Sequence, residues 1–185
     1  MAKLFFRYAA MNSGKSTLLL QIANNYENLG MTVALYTASI DDRYGTGRIA
    51  SRLGIERSAA IFDATLDFFA LPLENVACLL IDEAQFLAPT QVTQLHRLAH
   101  MRHIPVICFG LRSDFRGQPF PGAASLLTLA EDLEEIRAIC PCGRKATMHL
   151  RVDANGRRVA DGPQIEIGSE ARYRSVCAKC FYGAD

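Results

Sequence analysis

The sequence predicts an α/β fold: a parallel sheet covered by helices on both faces, followed by a small cysteine-bearing appendage. Three observations predict it. The runs Val33-Ala34-Leu35-Tyr36, Ala77-Cys78-Leu79-Leu80-Ile81 and Pro105-Val106-Ile107-Cys108-Phe109 are continuously apolar, as strands buried on both faces must be. Segments of helical spacing separate them, the pattern of strand-helix-strand crossovers. Beyond Ile139 the character changes to paired cysteines and an alternating segment, which divides the chain into 1–139 and 140–185.

The first strand is short, around Leu4-Phe5-Phe6, and leads into Ala9-Ala10-Met11-Asn12-Ser13-Gly14-Lys15-Ser16. This is the strand-to-helix setting of a phosphate-binding loop, in which backbone N–H groups wrap a triphosphate, Lys15 supplies a point charge and the Ser16 hydroxyl ligates Mg²⁺. Ala9 stands where the usual pattern has its first glycine. From Ser16 to about Asn28, apolar residues at Leu19, Leu20, Ala23, Tyr26 and Leu29 give a helix with one buried face, ended by Gly30. Thr32 to Thr37 is the second strand, and the polar Asp41 to Gly47 is a loop. A third strand at Ala77–Ile81 and a fourth at Pro105–Phe109 enclose a helix from about Thr90 to Met101. Ligands of such sheets collect at the carboxyl ends of the strands, where Ser39–Arg48, Asp82-Glu83 and Gly110–Arg116 gather beside the phosphate loop. The acidic Glu131 to Glu135 is read as solvated surface.

In the last part Thr147 to Val152 alternates, Asn155-Gly156 is a turn, and the whole reads as a hairpin-rich segment. Cys140, Cys142, Cys177 and Cys180 can surround one ion, and four thiolates with no open position point to a structural zinc, a redox-active dithiol being the minority reading. Such a staple suits a segment too small to hold itself together by burial. Cys78 and Cys108, inside apolar strands, are core residues. His96 and His100 stand four apart on the predicted helix, but Arg97 occupies the place where a zinc protease carries its glutamate. Exposed or capping roles are expected for both and for His103.

At 185 residues and net charge +1, with half of the residues apolar, the chain has no strong field for polyanions, and a nucleic-acid polymer is a poor partner. No apolar run reaches the ~20 residues that cross a bilayer, and Met-Ala-Lys leads directly into a strand, so a cytoplasmic protein without membrane attachment is expected. Six cysteines in that reducing setting are better read as core residues and metal ligands than as disulfides.

Leu79-Leu80-Ile81-Asp82-Glu83 ends an apolar strand in two carboxylates. Asp82 would hold Mg²⁺ through water, leaving Glu83 to deprotonate water, as in an ATPase, or a substrate hydroxyl, as in a kinase. Asp82-Glu83-Ala84-Gln85 also matches the acidic box of RNA helicases, but those close two such lobes on ATP, which 185 residues cannot supply. A free-standing or regulatory P-loop ATPase with a structural zinc is the alternative.

Met11 to Thr17, Asp41-Asp42-Arg43-Tyr44, Asp82 to Phe86, Gly110 to Gly117 with Pro119-Phe120, and Tyr173 to Cys177 together resemble the compact, zinc-containing thymidine kinases, particularly the bacterial form. The resemblance implies a RecA-like P-loop domain over 1–139 and a zinc-binding lasso domain over 140–185, the lasso spanning about Leu150 to Arg172 with Asn155-Gly156 at its tip. It implies transfer of the ATP γ-phosphate to the 5′-hydroxyl of thymidine with Mg²⁺, a homotetramer, and thymidine triphosphate as feedback inhibitor. By matching position, Glu83 is the general base, with Lys15 and Arg43 beside it in catalysis. Ala9, Ala10, Met11, Asn12, Ser13, Gly14, Lys15 and Ser16, with Asp82, Glu83, Ala84 and Gln85, hold the nucleotide. Ser16, Asp41 and Asp82 serve magnesium, while Met11, Phe86, Leu111, Phe115, Phe120 and Tyr173 enclose the thymine ring.

Overall fold

The computed structural model describes residues 2–41, 45–165 and 172–183. In chain order its elements are β1 (Leu4–Ala9), α1 (Lys15–Asn28), β2 (Thr32–Ala38), β3 (Arg48–Ala50), β4 (Glu56–Ser58), β5 (Ala60–Phe62), β6 (Val76–Ile81), α2 (Pro89–Met101), β7 (Val106–Gly110), α3 (Pro121–Leu129), β8 (Asp132–Ile136), β9 (Ala138–Ile139), β10 (Lys145–Ala146), β11 (Met148–Val152), β12 (Arg172–Val176) and α4 (Ala178–Tyr182). Six of the strands form one sheet in the order β5-β2-β6-β7-β1-β8, and every pairing in it is parallel. The four strands read from the sequence are its middle.

Helices cover both faces, as a sheet without a polar side requires. On one face α2 and α3 pack Val92, Leu95, Leu98, Ala123 and Leu126 onto Leu4, Phe6, Leu79, Ile81, Val106 and Cys108. On the other, α1 packs Leu19, Leu20 and Ala23 onto Cys78, Leu80, Ile107 and Phe109, and Ile49 of β3 closes that cluster. Alternate residues of β6 and β7 thus serve opposite cores, which is why these strands are apolar throughout. Cys78 and Cys108 are buried as expected, and burial raises both thiol pKa values, that of Cys78 to about 11.

One expectation is corrected here. The acidic run is no bare solvated surface: Asp132 to Ile136 is edge strand β8, paired with β1 from Phe5↔Asp132 to Ala9↔Ile136. Its carboxylates pair with cations, Glu134 with Arg7 and Glu135 with Lys145. Charges along an outer strand discourage pairing with another chain, so the acidic composition hid a strand. The described part of Asp41 to Gly47 is loop as expected, and beyond it β3 and β4, which the sequence did not mark, pair from Arg48↔Ser58 to Ala50↔Glu56.

The C-terminal part has its own apolar cluster of Cys140, Ala146, Leu150, Val152, Val176, Cys177 and Phe181. β11 and β12 form an antiparallel pair from Met148↔Val176 to Val152↔Arg172. The turn at Asn155-Gly156 is present, with Gly156 at φ +79 and Asp153 Oδ1 accepting the Asn155 and Arg157 N–H groups. Ala10 of the loop after β1 is buried in this same cluster, so the phosphate loop rests on the C-terminal segment.

Glycine is required where α3 meets the turn after β6. A Cβ on Gly122 would lie 2.8 Å from the Gln85 carbonyl oxygen and 3.1 Å from that of Ala84. Backbone on both sides cannot yield cheaply. Gly122→Ala should therefore destabilise the protein by about 1–3 kcal/mol, seen as a lower denaturant midpoint, and should impair turnover by displacing the Ala84–Phe86 turn; an unchanged midpoint would refute this close approach.

Candidate active site

Three adjacent strands carry the site. Leu4, Val106 and Leu79 are neighbours across β1, β7 and β6, so the chain leaves the sheet along one edge at Ala9, Ile81 and Gly110. After Ala9 the chain turns through Asn12 and Gly14, both at positive φ (61° and 84°), and enters α1 at Lys15. Gly14 caps the helix with no side chain, leaving the N–H groups of the first turn directed at the loop. Lys15 is buried, and its Nζ donates to the Ala10 carbonyl at 3.1 Å.

The Ser16 hydroxyl donates to Asp82 Oδ2 at 2.8 Å, bringing the phosphate loop and the end of β6 together. Asp82 is almost fully buried; burial first, and then the charge of Glu83 beside it, pushes its carboxyl up to about 7, against the opposing pull of Ser16 and Lys15. Glu83 adopts a left-handed backbone (φ 52°, ψ 37°), a strained conformation for this residue type that turns its side chain into the cleft. Gln85 holds it there: its Nε2 donates to Glu83 Oε2, while its Oε1 accepts the Leu111 N–H at 3.0 Å.

These residues face one cavity of about 1020 Å³. Its wall includes the polar Asn12, Ser13, Lys15, Ser16, Asp41, Asp82, Glu83 and Gln85 with Met11 and Gly14, and the apolar or aromatic Phe86, Leu111, Phe115, Phe120 and Tyr173. All six residues expected around a flat base line it, with the Phe86 and Phe120 rings edge-to-face at 5.8 Å. Ala9, Ala10 and Ala84 do not line it; they are buried behind the wall, where the Ala10 carbonyl accepts Lys15 and Ser13. Arg43 lies outside the described residues.

The C-terminal segment grips this cavity from above. The Met11 N–H donates to His149 Nδ1 at 3.4 Å, and the Met11 carbonyl accepts the Ser175 hydroxyl at 2.6 Å, so β11 and β12 hold one loop residue from both sides. The Arg151 guanidinium lies 4.1 Å from the Phe115 ring centroid and donates to the carbonyls of Asp161 and Pro163. Gln164 donates to Asp114 at 3.1 Å, tying the described part of the expected lasso to the loop after β7. Residues 166–171 of that lasso lie outside the described residues.

Cys140, Cys142, Cys177 and Cys180 bring four sulfurs within 4.8 Å of one another. Cys142 Sγ is 3.3 Å from Cys140 Sγ and 3.6 Å from Cys177 Sγ, close to the roughly 3.8 Å between sulfurs on a tetrahedral zinc. Backbone N–H groups stabilise two thiolates: that of Cys142 lowers Cys140, and that of Cys180 draws Cys177 down to about 6. Hydrogen bonds with the other sulfurs, Cys142 first, raise Cys180 to about 12. The donor set fits zinc.

The family model described as Thymidine kinase matches residues 2–181. The chain belongs to the thymidine kinase family. It is 68% identical to a thymidine kinase of Chromobacterium violaceum over 98% of this chain and 99% of the relative, and 59% identical to one of Albidiferax ferrireducens over 98% and 93%. A thymidine kinase of Ruegeria pomeroyi is 52% identical over 97% and 93%. The chain is a kinase, and the resemblance read from its motifs holds over its length.

Within this kinase, sequence reasoning passed over His149, Asp114, Gln164, Ser175 and the segment of β3 and the turn after it, which contributes Ile49, Ser51 and Arg52 to the cavity wall. Asp114 and Ser175 fall inside the motifs of the resemblance but carry no mark of these contacts, and nothing local marks the others. Met11 and Ser175 are 164 positions apart, and only the register of β11 against β12 brings the hydroxyl to the loop.

His149 gives a test of this arrangement. It is 3% exposed, and burial, reinforced by Lys15 and Arg112, lowers its pKa from 6.5 to about 4. Between those values the unfolded chain binds a proton that the folded one refuses, so stability falls as pH drops through this window. His149→Gln should lose less unfolding free energy than the parent between pH 6.5 and about 4 in denaturant titrations at stepped pH; identical slopes would mean that the imidazole is not buried neutral.

Proposed function

We propose that this chain transfers the γ-phosphate of ATP to the 5′-hydroxyl of thymidine. The observation that carries the reading is one cavity lined by Lys15, Ser16 and Glu83 together with the aromatic side chains of Phe86, Phe115, Phe120 and Tyr173. A phosphate grip alone would serve any ATPase; an aromatic box beside it calls for a flat second substrate.

In this mechanism Lys15 and the loop N–H groups orient the triphosphate, while the rings and Leu111 hold the base so that the sugar hydroxyl reaches Glu83. Glu83 takes the hydroxyl proton as the oxygen bonds to the γ-phosphorus and the bond to the β-phosphate oxygen breaks, giving thymidine monophosphate and ADP. Gln85 is the positioning residue that fixes the carboxylate. Ser16 and Asp82, with Asp41 on the same wall, are the residues that would hold magnesium, and Mg²⁺ there would neutralise charge building on the phosphates. Arg43 is assigned a phosphate-facing role on the family motif.

We further assign the four cysteines to one structural zinc and divide the chain into a nucleotide-binding part, 1–139, and a lasso part, 140–185. The assembly inferred from the family is a tetramer. Thymidine triphosphate, which carries both a thymine and a triphosphate, suits both the aromatic and the polar parts of the cavity wall and is the expected inhibitor. That none of the six cysteines is in a disulfide fits a cytoplasmic setting. Among the described residues no helix is long and apolar enough to cross a membrane.

Two experiments test this function. ATP consumption should depend on added thymidine, and Glu83→Gln should lower kcat by ~10²-fold or more with little change in nucleotide affinity; consumption indifferent to thymidine would make the chain a simple ATPase. Metal analysis should find about one zinc per chain, lost together with thymidine binding in Cys177→Ser, whereas an active metal-free protein would remove zinc from the account.

A further inference from the structure

At the opposite edge of the sheet, near the amino ends of the strands, a second cluster of metal-binding side chains forms. His96 and His100 stand one turn apart on α2 with ring centroids 4.7 Å apart, and Glu131 approaches them just ahead of β8. Glu131 Oε1 lies 3.1 Å from His96 Nε2 and is also hydrogen-bonded to His100 Nε2. The three donor atoms are within 4.8 Å of one another, and the side chains are about one-third exposed, at 32%, 32% and 29%.

An exposed carboxylate beside two imidazoles would by itself be a weak hydrogen-bonded group. Its supports make it more. Glu131 is held at both its backbone and its side chain by one residue of β1: its N–H donates to the Leu4 carbonyl at 3.0 Å, and its Oε2 accepts the Leu4 N–H at 2.8 Å. One carboxylate oxygen is thus occupied by backbone, which fixes the direction of the other, in the manner of outer-shell partners that orient a metal ligand. The histidines are equally constrained, because the other side of α2 buries Val92, Leu95, Leu98 and Ala99 completely. The cations of this helix are turned elsewhere, Arg97 lying 4.6 Å and Arg102 5.0 Å from the Phe69 ring centroid.

We propose that His96, His100 and Glu131 form a second metal site, for a divalent transition ion such as Zn²⁺ or Ni²⁺. Two imidazole nitrogens and one carboxylate oxygen are the donors these borderline ions prefer. Bonds of about 2.0–2.2 Å place neighbouring donors roughly 3.3 Å apart, near the present separation of His96 and Glu131. The ion takes the Nε2 lone pairs, each neutral ring keeps its proton on Nδ1, and water completes the coordination. The bound ion pins α2 to the β1–β8 edge, away from the nucleotide cavity and from the four cysteines.

The test is a calorimetric titration of NiCl₂ into the purified protein with its cysteine-bound zinc in place. The parent should bind one further equivalent, and its melting temperature should rise with the ion. His96→Gln/His100→Gln should lose that equivalent and the rise in melting temperature while keeping kinase activity and cysteine-bound zinc; the single variant His100→Gln serves if the double variant fails to fold. Co²⁺ added in place of Ni²⁺ should give d–d bands without thiolate charge transfer. A parent that binds no additional ion, or histidine variants that bind it as the parent does, would overturn the proposal.

Discussion

Leu79, Val106 and Leu4 lie side by side across three parallel strands, and a parallel ladder keeps its register to the ends. The chain leaves all three strands at the same edge of the sheet, β6 at Ile81 level with Cys108 and Phe6, and β7 and β1 slightly further on at Gly110 and Ala9. Each exit delivers a different chemical part: a phosphate loop after Ala9, two carboxylates after Ile81, and the Leu111–Phe115 wall after Gly110. The apolar character of these strands is what holds the register, since a one-residue slip would exchange residues between the two cores. Site geometry is in this sense a property of the core.

That placement has an energetic cost, concentrated at the end of β6. Asp82 is buried, and that burial and the charge of Glu83 beside it both disfavour its ionised form, while Glu83 adds the strain of a left-handed backbone, of order 1–3 kcal/mol. Compensation is local and specific. Ser16 gives Asp82 a hydrogen bond, the Glu83 N–H gives it a second at 3.0 Å, and Gln85 ties Glu83 to Leu111. Gly110 and Gly122 let the backbone approach the Ala84–Phe86 turn more closely than any side chain would allow. Among the described residues no buried side-chain nitrogen or oxygen lacks a hydrogen-bond partner. A strained carboxylate beside a cavity, held by hydrogen bonds from its neighbours, is pre-organised in position.

What the sequence made legible follows from this division. Lys15, Ser16 and Asp82 could be read because each sits in a short motif at a strand end, and the four sheet strands could be read because burial on both faces leaves an unbroken apolar run. β8 could not, because an edge strand carries charges on its outer side; Asp132 to Ile136 has the composition of surface and the pairing of sheet. β5 is three residues long and gives no periodic signal. His96 and His100 were visible as a pair, but their partner Glu131 lies 35 and 31 positions away on another element, so only the fold joins them. His149 and Ser175 are hidden for the same reason, their role resting on contacts 138 and 164 positions apart.

Those two long-range contacts also explain why a cysteine cluster at one end of the C-terminal segment bears on a phosphate loop at the other. β11 and β12 are five residues each, and an isolated two-stranded hairpin of that size is marginal in water. Yet this hairpin must keep His149 buried and neutral while presenting Nδ1 to the Met11 N–H, with Ser175 on the Met11 carbonyl. Cys177 directly follows β12, and Cys140 and Cys142 precede β10 and β11, so drawing the four sulfurs together fixes both strands at their root. The hydrogen bonds to Met11 then carry that anchoring to the phosphate loop, and Ala10, packed in the same cluster as Cys140 and Cys177, ties the loop to it a second time.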